Sequence, residues 1–339
     1  MNKKFRPKFL MLLLTDSCNL NCAYCYRGEK SNFQDMPFEI AEKVLILARA
    51  STDYFHVQLT GGEPLLCSEL IEKIAKFIYK NNFPATIGIQ TNGILLDRTV
   101  VNLFKKYKIQ VSISIDGPPE IQETLRGEAN KVFANLKLLS ENEIPFRVTS
   151  VITNLNLKFL PKLLLLLSTF PNFEGIAWSF IVKKGKSFKN SQLNLPEVEE
   201  FKSILKEFLK TLDLINKVRV KPITFRELEI FKKRIEKGLK EPFCIALKKE
   251  SLAVCLDGRL YPCSQTADDS NFFCGTLENP EVSGFLALQK FSLRDFFCMN
   301  CEIENFCPED CPSRTYYDRG ENKKLICAMY KILTEYLAR

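Results

Sequence analysis

The sequence is poor in histidine and has no long apolar run. His56 is the only histidine among 339 residues, and it falls in a strand-like stretch. Because histidine is the usual side chain for proton transfer near neutral pH, its scarcity argues against histidine acid–base catalysis. No stretch approaches the roughly 20 apolar residues of a membrane helix, so we expect a soluble protein.

An export signal is also missing. The start of the chain only imitates one, because Lys3 and Lys4 precede a short apolar stretch at residues 9–14 that runs into Thr15 and Asp16. The apolar region of a secretory signal is longer, and an acidic residue fits poorly beside a cleavage site. Thirteen cysteines without such a signal indicate a reducing compartment, the cytoplasm, and metal binding rather than disulfides.

Residues 8–212 alternate short apolar stretches with helical ones, which predicts βα units and a parallel sheet. The predicted strands are residues 9–15, 56–60, 86–90, 110–115, 146–152 and 176–182. The predicted helices are residues 38–50, 68–80, 98–107, 129–141, 157–168 and 196–211. Six units, rather than eight, predict an α/β fold of the partial (β/α)6 TIM-like barrel class, whose site lies in the loops after the strands. We place the barrel at residues 1–212, a helical bridge at 213–243 and a cysteine-rich domain with a terminal helix at 244–339.

Three cysteines near the start, Cys18, Cys22 and Cys25, are spaced as CNLNCAYC. A four-iron, four-sulfur cluster held by only three thiolates keeps one iron open to another ligand. A zinc knuckle is an alternative, but structural zinc takes four ligands and no fourth cysteine or histidine lies nearby. A disulfide framework, or a lipoprotein signal ending at Cys18, would need the missing export signal.

Glycine and polar residues follow the second, third and fourth predicted strands. They form TGGEP at residues 60–64, QTNG at 90–93 and SIDGP at 114–118. Because the carboxyl ends of parallel strands share one rim, we expect these segments beside the cysteine loop. The glycines would let the backbone approach a ligand closely, with Glu63 near a cationic amine.

The cysteine spacing, with Tyr24 before the third cysteine, resembles the signature of the radical S-adenosylmethionine (radical SAM) superfamily. The resemblance implies a [4Fe-4S] cluster whose open iron binds the amine and carboxylate of S-adenosylmethionine. It also implies which residues hold that cofactor: Gly61, Gly62 and Glu63 for the amine, Asn92 and Ser114 for the ribose, and Arg126 for the carboxylate.

The residues of the SIDGP segment and Arg126 each have a simpler interpretation than cofactor binding. Turn formation would also explain Ser114 and Asp116, and a surface salt bridge would explain Arg126.

A second group of cysteines follows residue 243. Four of them, Cys298, Cys301, Cys307 and Cys311, form a CxxCxxxxxCxxxC pattern, with Cys244 and Cys263 before it and Cys327 after it. Together with GRLYPC at residues 258–263, the arrangement resembles the SPASM domain, an extension of radical SAM enzymes that holds two auxiliary [4Fe-4S] clusters. A zinc ribbon is the alternative, since paired cysteines suit tetrahedral zinc.

The SPASM resemblance implies three [4Fe-4S] clusters in the whole chain. It also implies that the ligands of the two auxiliary clusters are interleaved along the sequence. The outer auxiliary cluster would take Cys298, Cys301, Cys307 and Cys327. The inner one would take Cys244, Cys263 and Cys311.

The inner cluster then lacks a fourth ligand, which leaves Cys255, Cys274 or an open iron. A two-residue hairpin turn at residues 257–258 points Cys255 away from the face of Cys263, whereas a three-residue loop would reverse that direction. Cys67, beyond the glycine segment, reads as a small buried apolar residue.

The formal charge of +8 suggests nucleic-acid binding at first sight. That count treats cysteines as neutral, and three loaded clusters would add on the order of −5. The lysine-rich residues 183–189 and 232–240 fit solvated faces or a binding strip for an acidic peptide. We therefore do not expect a nucleic-acid partner.

The resemblance also implies a mechanism. One electron, from a partner such as a flavodoxin or ferredoxin, enters the first cluster and the cofactor is cleaved to methionine and a 5′-deoxyadenosyl radical. That radical abstracts hydrogen from the substrate, and the auxiliary clusters collect the electron released afterwards. Net oxidation of the substrate is expected.

SPASM-bearing enzymes mostly modify peptides or proteins, so a peptide or protein substrate is expected. We rank a ribosomal-peptide maturase first, forming a thioether or carbon–carbon crosslink. A sulfatase maturase making formylglycine is second, because Ser264 stands where such enzymes have an aspartate base, although Asp268 or Asp269 could supply one. A haem-pathway radical SAM enzyme and a nonenzymatic iron–sulfur electron carrier follow.

Since few residues precede the barrel, leader recognition would fall to a separate protein or to the bridge.

Overall fold

The computed structural model describes residues 6–28, 34–240, 242–292, 298 and 300–338. The predicted domains also include residues 1–5, 29–33, 241, 293–297, 299 and 339, which lie outside the described residues. The chain divides into two compact units. The first is Met1–Asn19, Glu29–Ser112 and Cys244–Phe291; the second is Leu20–Gly28, Ile113–Phe243 and Ser292–Arg339. The domain boundaries at residues 212 and 243 stay a prediction.

Strands and helices alternate through most of the described chain. The strands are β1 (Phe9–Leu13), β2 (Phe55–Thr60), β3 (Ala85–Thr91), β4 (Gln110–Ser114), β5 (Phe146–Ile152), β6 (Phe173–Phe180), β7 (Thr224–Phe225), β8 (Ser251–Val254) and β9 (Leu260–Tyr261). The helices are α1 (Phe38–Ser51), α2 (Ser68–Lys80), α3 (Arg98–Lys106), α4 (Pro119–Leu125), α5 (Ala129–Glu141), α6 (Leu160–Ser168), α7 (Lys186–Lys189), α8 (Val198–Val218), α9 (Arg226–Lys237), α10 (Ser283–Gln289), α11 (Pro312–Asp318) and α12 (Lys323–Leu337). Within this described part, none of the helices is long and apolar enough to cross a membrane.

The first unit is built on parallel strands. β1 pairs in parallel with β2 on one side and with β8 on the other, and β2 pairs in parallel with β3. Four of the five β1 residues are buried, as expected for a strand covered on both faces. β9 turns back to pair antiparallel with β8. The ends of β1, β2 and β3 therefore lie at one edge, which is where their loops carry the predicted site residues.

The second unit also contains parallel pairs, β5 with β6 and β6 with β7. Its core is aromatic: the Trp178 ring lies 4.6 Å from that of Phe208 and 5.0 Å from that of Phe225. Arg219, just after α8, donates to the carbonyls of Ser168 and Phe173 at 2.5 and 3.0 Å. These contacts hold α8 against the start of β6.

All six predicted strands and all six predicted helices are present; one strand and two helices match at both ends, and the others have shifted ends. β6 begins three residues before the predicted position 176, because Phe173 is buried and Gly175 allows close packing against Thr224. The predicted helix at 157–168 becomes a short 3-10 turn followed by α6, because Pro161 sits in the first turn of α6, where proline is favoured. The predicted helix at 196–211 continues to Val218.

Candidate functional site

In the first unit, the TGGEP segment packs directly on the backbone of the loop that carries Cys18. The N–H of Gly62 donates to the carbonyl of Thr15 at 2.7 Å, and the N–H of Glu63 donates to that of Ser17 at 2.8 Å. A Cβ atom on Gly62 would lie 2.0 Å from the Ser17 carbonyl oxygen. Position 62 therefore has to be glycine because the cysteine loop lies too close for a side chain. The sequence had suggested a different reason, the close approach of a ligand.

Glu63 is the hydrogen-bond centre of this region. Its side chain is 1% exposed and accepts from the N–H of Leu65 at 3.1 Å and the hydroxyl of Thr91 at 2.6 Å. Its other carboxylate oxygen accepts from the N–H of Asn92 at 2.8 Å. The carboxylate therefore ties the end of β2 to the end of β3.

Asn92 connects β3 to the cysteine loop in turn. Its side-chain amide donates to the side-chain oxygen of Asn19 at 2.8 Å, and its own oxygen accepts from the N–H of Ile94 at 3.0 Å. Since Asn19 directly follows Cys18, the buried Asn92 positions that stretch of backbone. Thr91 and Asn19 lie within the QTNG and CNLNCAYC segments, but the sequence analysis assigned neither of them a role.

In the second unit, Cys22 and Cys25 lie on a loop anchored by Tyr24. Tyr24 is 7% exposed and packs with Leu125, Ile181 and Leu193. Its hydroxyl donates to the carboxylate of Asp116. The aromatic residue of the motif is therefore a core residue that fixes the loop carrying both cysteines.

Arg126 completes a buried network with these residues. Its Nε donates to Asp116 at 2.7 Å, in a pair whose side chains are 10% and 0% exposed. Its guanidinium lies 5.3 Å from the Tyr24 ring centre, and one of its terminal nitrogens lies 4.0 Å from the Cys22 sulfur. The alternative of a surface salt bridge for Arg126 is therefore wrong, because the pair is inside the unit.

Burial and charge act against each other in this network. Burial lowers the pKa of Arg126, but Asp116, Tyr24 and Cys22 raise it, and the net pKa is well above the ordinary value. Burial raises the pKa of the Cys22 thiol, while Arg126 lowers it. Arg126 thus offsets part of the cost of a buried thiolate, the form that metal binding requires, while the net pKa of Cys22 stays above its ordinary value.

Asp116 has more partners than a turn residue needs. Its other carboxylate oxygen accepts from the N–H of Val151 at 2.7 Å, and its carbonyl accepts from the side-chain amide of Asn156 at 2.8 Å. Ser114, at the end of β4, is 9% exposed, and its carbonyl accepts from Gln122. The sequence placed Asp116 in a site loop with turn formation as the alternative, but gave it no role in the core; Asn156 was not identified from the sequence.

The four cysteines predicted for the outer auxiliary cluster line one cavity of about 570 Å³ in the second unit. Cys298, Cys301, Cys307 and Cys327 face it together with Lys323 and other residues. Burial, with a contribution from neighbouring Cys327 and Cys298, raises the pKa of Cys307 to about 11. Among the residues that the structure describes, no three metal-binding side chains are close enough to enclose a single ion.

Three predicted ligands of the inner cluster are partly exposed. Cys244 precedes a 3-10 turn at Ile245–Lys248, and Cys263 precedes another at Ser264–Thr266; both belong to the first unit. Cys311 belongs to the second unit, where its sulfur lies 3.0 Å from the hydroxyl of Ser313. The ligand assignment itself stays a proposal.

The expected two-residue hairpin turn at residues 257–258 is wrong. Val254 pairs with Leu260, and the N–H of Cys255 donates to the carbonyl of Arg259 at 2.9 Å. The loop therefore has three residues, 256–258. One extra residue moves the partner of Cys255 from Leu260 to Arg259, which reverses the predicted direction of the cysteine side chain.

Cys255 consequently points to the same face as Tyr261 and, in extended backbone beyond it, Cys263. The N–H of Cys274 donates to the carbonyl of Leu260 at 2.8 Å, which places Cys274 beside β9. Cys255 and Cys274 are both buried. Both remain candidates for the fourth ligand of the inner cluster.

Burial makes two cysteines poor nucleophiles. It raises the pKa of Cys67 to about 12, with Asp35 adding to the effect, and it raises the pKa of Cys274 to about 12. In protein stripped of clusters, iodoacetamide at pH 8 should therefore label Cys18 at least about a hundredfold faster than either, because only thiolates react. Peptide mass spectrometry measures the rates. Equal labelling of Cys67 or Cys274 in the folded protein would contradict the placement.

Comparison with known proteins identifies the superfamily. The sequence model described as the Radical SAM superfamily matches residues 12–158. An uncharacterized protein of Methanocaldococcus jannaschii is 33% identical over 76% of this chain and 84% of its own length. The AdoMet-dependent heme synthase of Methanosarcina barkeri is 25% identical over 93% of this chain and 94% of its own length. A GTP 3′,8-cyclase of Clostridium perfringens is 34% identical, but over only 42% of this chain and 46% of the cyclase.

Solved structures match almost the whole fold. Native anSMEcpe with bound AdoMet and Cp18Cys peptide superimposes with a TM-score of 0.74 at 18% identity, over 97% of this chain and 99% of that one. Streptococcus suis SuiB bound to the precursor peptide SuiA gives 0.70 at 14% identity, over 93% and 74%. At such identities the likeness concerns the fold, and it confirms the predicted α/β partial-barrel class with its cysteine-rich C-terminal part.

Proposed function

Since this chain belongs to the radical SAM superfamily, we propose that it oxidatively modifies a peptide or protein substrate. The observation that carries the proposal is the cavity lined by Cys298, Cys301, Cys307 and Cys327, which fits an auxiliary cluster in addition to the first one. The solved structures of similar fold include two that hold peptides, the Cp18Cys peptide and the precursor peptide SuiA. A ribosomal-peptide maturase that forms crosslinks is the specific activity that we favour.

The proposal gives each site residue a task. Cys18, Cys22 and Cys25 hold the first [4Fe-4S] cluster, which with S-adenosylmethionine supplies hydrogen-atom abstraction when both are bound. In the first unit, Glu63 keeps the glycine segment and Asn92 in place through its three hydrogen bonds.

In the second unit, Asp116 keeps Tyr24 and Arg126 in place beside the cysteine loop. Ser114 ends the neighbouring strand β4. In our proposal Arg126 uses its remaining donors for the cofactor carboxylate.

The sulfatase-maturase alternative needs an acidic base near Ser264, and both nearby acids have other contacts. Asp268 is paired with Arg259 at 3.0 Å. Asp269 accepts from the N–H and the side-chain amide of Asn271, both at 3.0 Å, and so caps a 3-10 turn. These contacts favour a crosslinking reaction over formylglycine formation, and the haem-pathway reading rests on sequence similarity alone.

The test is anaerobic co-expression with short peptides encoded beside the gene, followed by mass measurement. We expect a loss of two hydrogen atoms per crosslink, together with reductant-dependent release of 5′-deoxyadenosine by the purified protein. Cys22→Ala should abolish both. An aldehyde on a sulfatase, with every neighbouring peptide unchanged, would support the alternative, and 5′-deoxyadenosine release that survives in Cys22→Ala would refute the proposal.

A further inference from the structure

The segment after β6 carries an unusual concentration of positive charge. Residues 183–189 read KKGKSFK, and there is no acidic residue between positions 175 and 196. We call residues 183–189 the basic segment. A lysine run alone usually forms a solvated face, so its function depends on how it is held.

The basic segment has a fixed conformation. Ser187 is fully buried, and its hydroxyl contacts the carbonyls of Val182 and Lys184 and accepts from the N–H of Lys184 at 3.1 Å. Because Ser187 points inward, the next side chain points outward. Phe188 is 77% exposed, so its ring lies on the surface beside the lysines.

The basic segment is also attached to the loop that carries Cys25. The N–H of Lys186 donates to the carbonyl of Cys25 at 3.0 Å. Gly185 has a φ angle of +65°, and a Cβ atom there would lie 2.5 Å from the Cys25 carbonyl oxygen and 2.8 Å from the nitrogen of Gly28. This close backbone contact fixes the position of the basic segment, and so of Phe188 and the lysines, relative to Cys25.

The four lysines divide into two pairs. Lys183 donates to the carbonyl of Leu193 at 2.5 Å, and the Lys184 ammonium lies 5.0 Å from the Tyr317 ring centre, so both are held by the unit itself. Lys186 and Lys189 form no ion pair with any residue in the described ranges, and Lys189 is exposed. Their charges are available to a partner.

We propose that the basic segment is the docking surface for an acidic one-electron donor protein. An exposed aromatic side chain beside cations is the composition expected of an interface with an acidic partner. The inference rests on the proposed function, because only a cluster at Cys25 gives an electron a destination. An acidic substrate peptide suits this surface less well, since a substrate must reach the cofactor, whereas a reductant needs only to approach a ligand of the cluster.

The test compares a protein reductant with a small one. We expect Lys186→Glu/Lys189→Glu to lower flavodoxin-driven release of 5′-deoxyadenosine by at least about tenfold at low ionic strength, because like charges slow association. The dithionite-driven rate should stay within about twofold, since dithionite needs no docking surface. Lys232→Glu/Lys233→Glu makes the same charge change on exposed residues of α9 and should leave both rates unchanged. Phe188→Ser should weaken flavodoxin binding, measured directly by titration.

Each other outcome has a definite meaning. Equal flavodoxin-driven rates in the two lysine variants would overturn the docking surface. A matching loss of the dithionite-driven rate in Lys186→Glu/Lys189→Glu would also overturn it, because the segment would then act through the Cys25 loop. Loss of peptide modification alone, with both reductants effective, would assign the surface to the substrate. If the unaltered protein releases no 5′-deoxyadenosine with dithionite, the proposed function is refuted instead. The flavodoxin titration would still show whether the basic segment binds the donor protein.

Discussion

Replacing Asp116 with asparagine is expected to lower the free energy of unfolding by about 3–5 kcal/mol, the usual cost of removing one partner of a buried ion pair. The substitution leaves the Arg126 guanidinium buried without its counter-charge and weakens the acceptor of the Tyr24 hydroxyl. Because Tyr24 anchors the loop of Cys22 and Cys25, iron content after reconstitution should fall as well. Chemical denaturation and iron analysis measure the two effects separately.

The controls for Asp116 use the neighbouring helix α4 and the same network. Glu120→Gln changes an exposed carboxylate to an amide in the first turn of α4 and should alter stability by less than about 0.5 kcal/mol. The double variant Asp116→Asn/Arg126→Met removes both charges and should be less destabilised than the sum of the single variants. Strict additivity would show that the two residues do not interact in solution.

Replacing Glu63 with glutamine is the second large effect that we expect. Glu63 accepts three hydrogen bonds, and an amide nitrogen in place of one oxygen would face a donor instead of accepting from it. We expect a loss of about 2–3 kcal/mol of stability, since hydrogen bonds to buried charged groups are strong. The affinity for S-adenosylmethionine should fall at least about tenfold if the carboxylate also faces the cofactor amine.

Glu69→Gln is the matched control for Glu63. It makes the same chemical change six residues later, on an exposed position of α2, and should leave stability and cofactor binding unchanged. Thermal unfolding and equilibrium dialysis measure the two quantities. A Glu63→Gln protein that is destabilised but binds the cofactor normally would restrict Glu63 to a structural role.

The repeating strands and helices of the barrel were predictable because each is specified by residues close together in the sequence. Strands 146–152 and helices 68–80 and 129–141 were placed to the residue, since each has its own apolar period and end signals. The cysteines and the TGGEP segment were visible for a similar reason, because their spacing is short. None of these features needed knowledge of a distant contact.

The contacts within the site could not be read in this way. Tyr24 and Asp116 are 92 positions apart, and only the folded unit brings them together with Arg126. The DGP sequence at Asp116 has a local explanation as a turn, which concealed its role in the core. Likewise, Gly62 was read as allowing approach to a ligand, whereas the structure shows that the Ser17 carbonyl occupies the space of a side chain.

The three-residue loop at residues 256–258 has a consequence for comparing this chain with its relatives. A relative that lacks one of those residues would present the cysteine matching Cys255 on the opposite side of the hairpin, even where the two sequences align without error. Loop length, and not only the presence of the cysteine, therefore has to be compared before a metal ligand is transferred from one homologue to another. Deleting Leu256 from this protein would move the Cys255 side chain to the opposite face of the hairpin. Such a variant would be a control for the role of Cys255 as a candidate ligand.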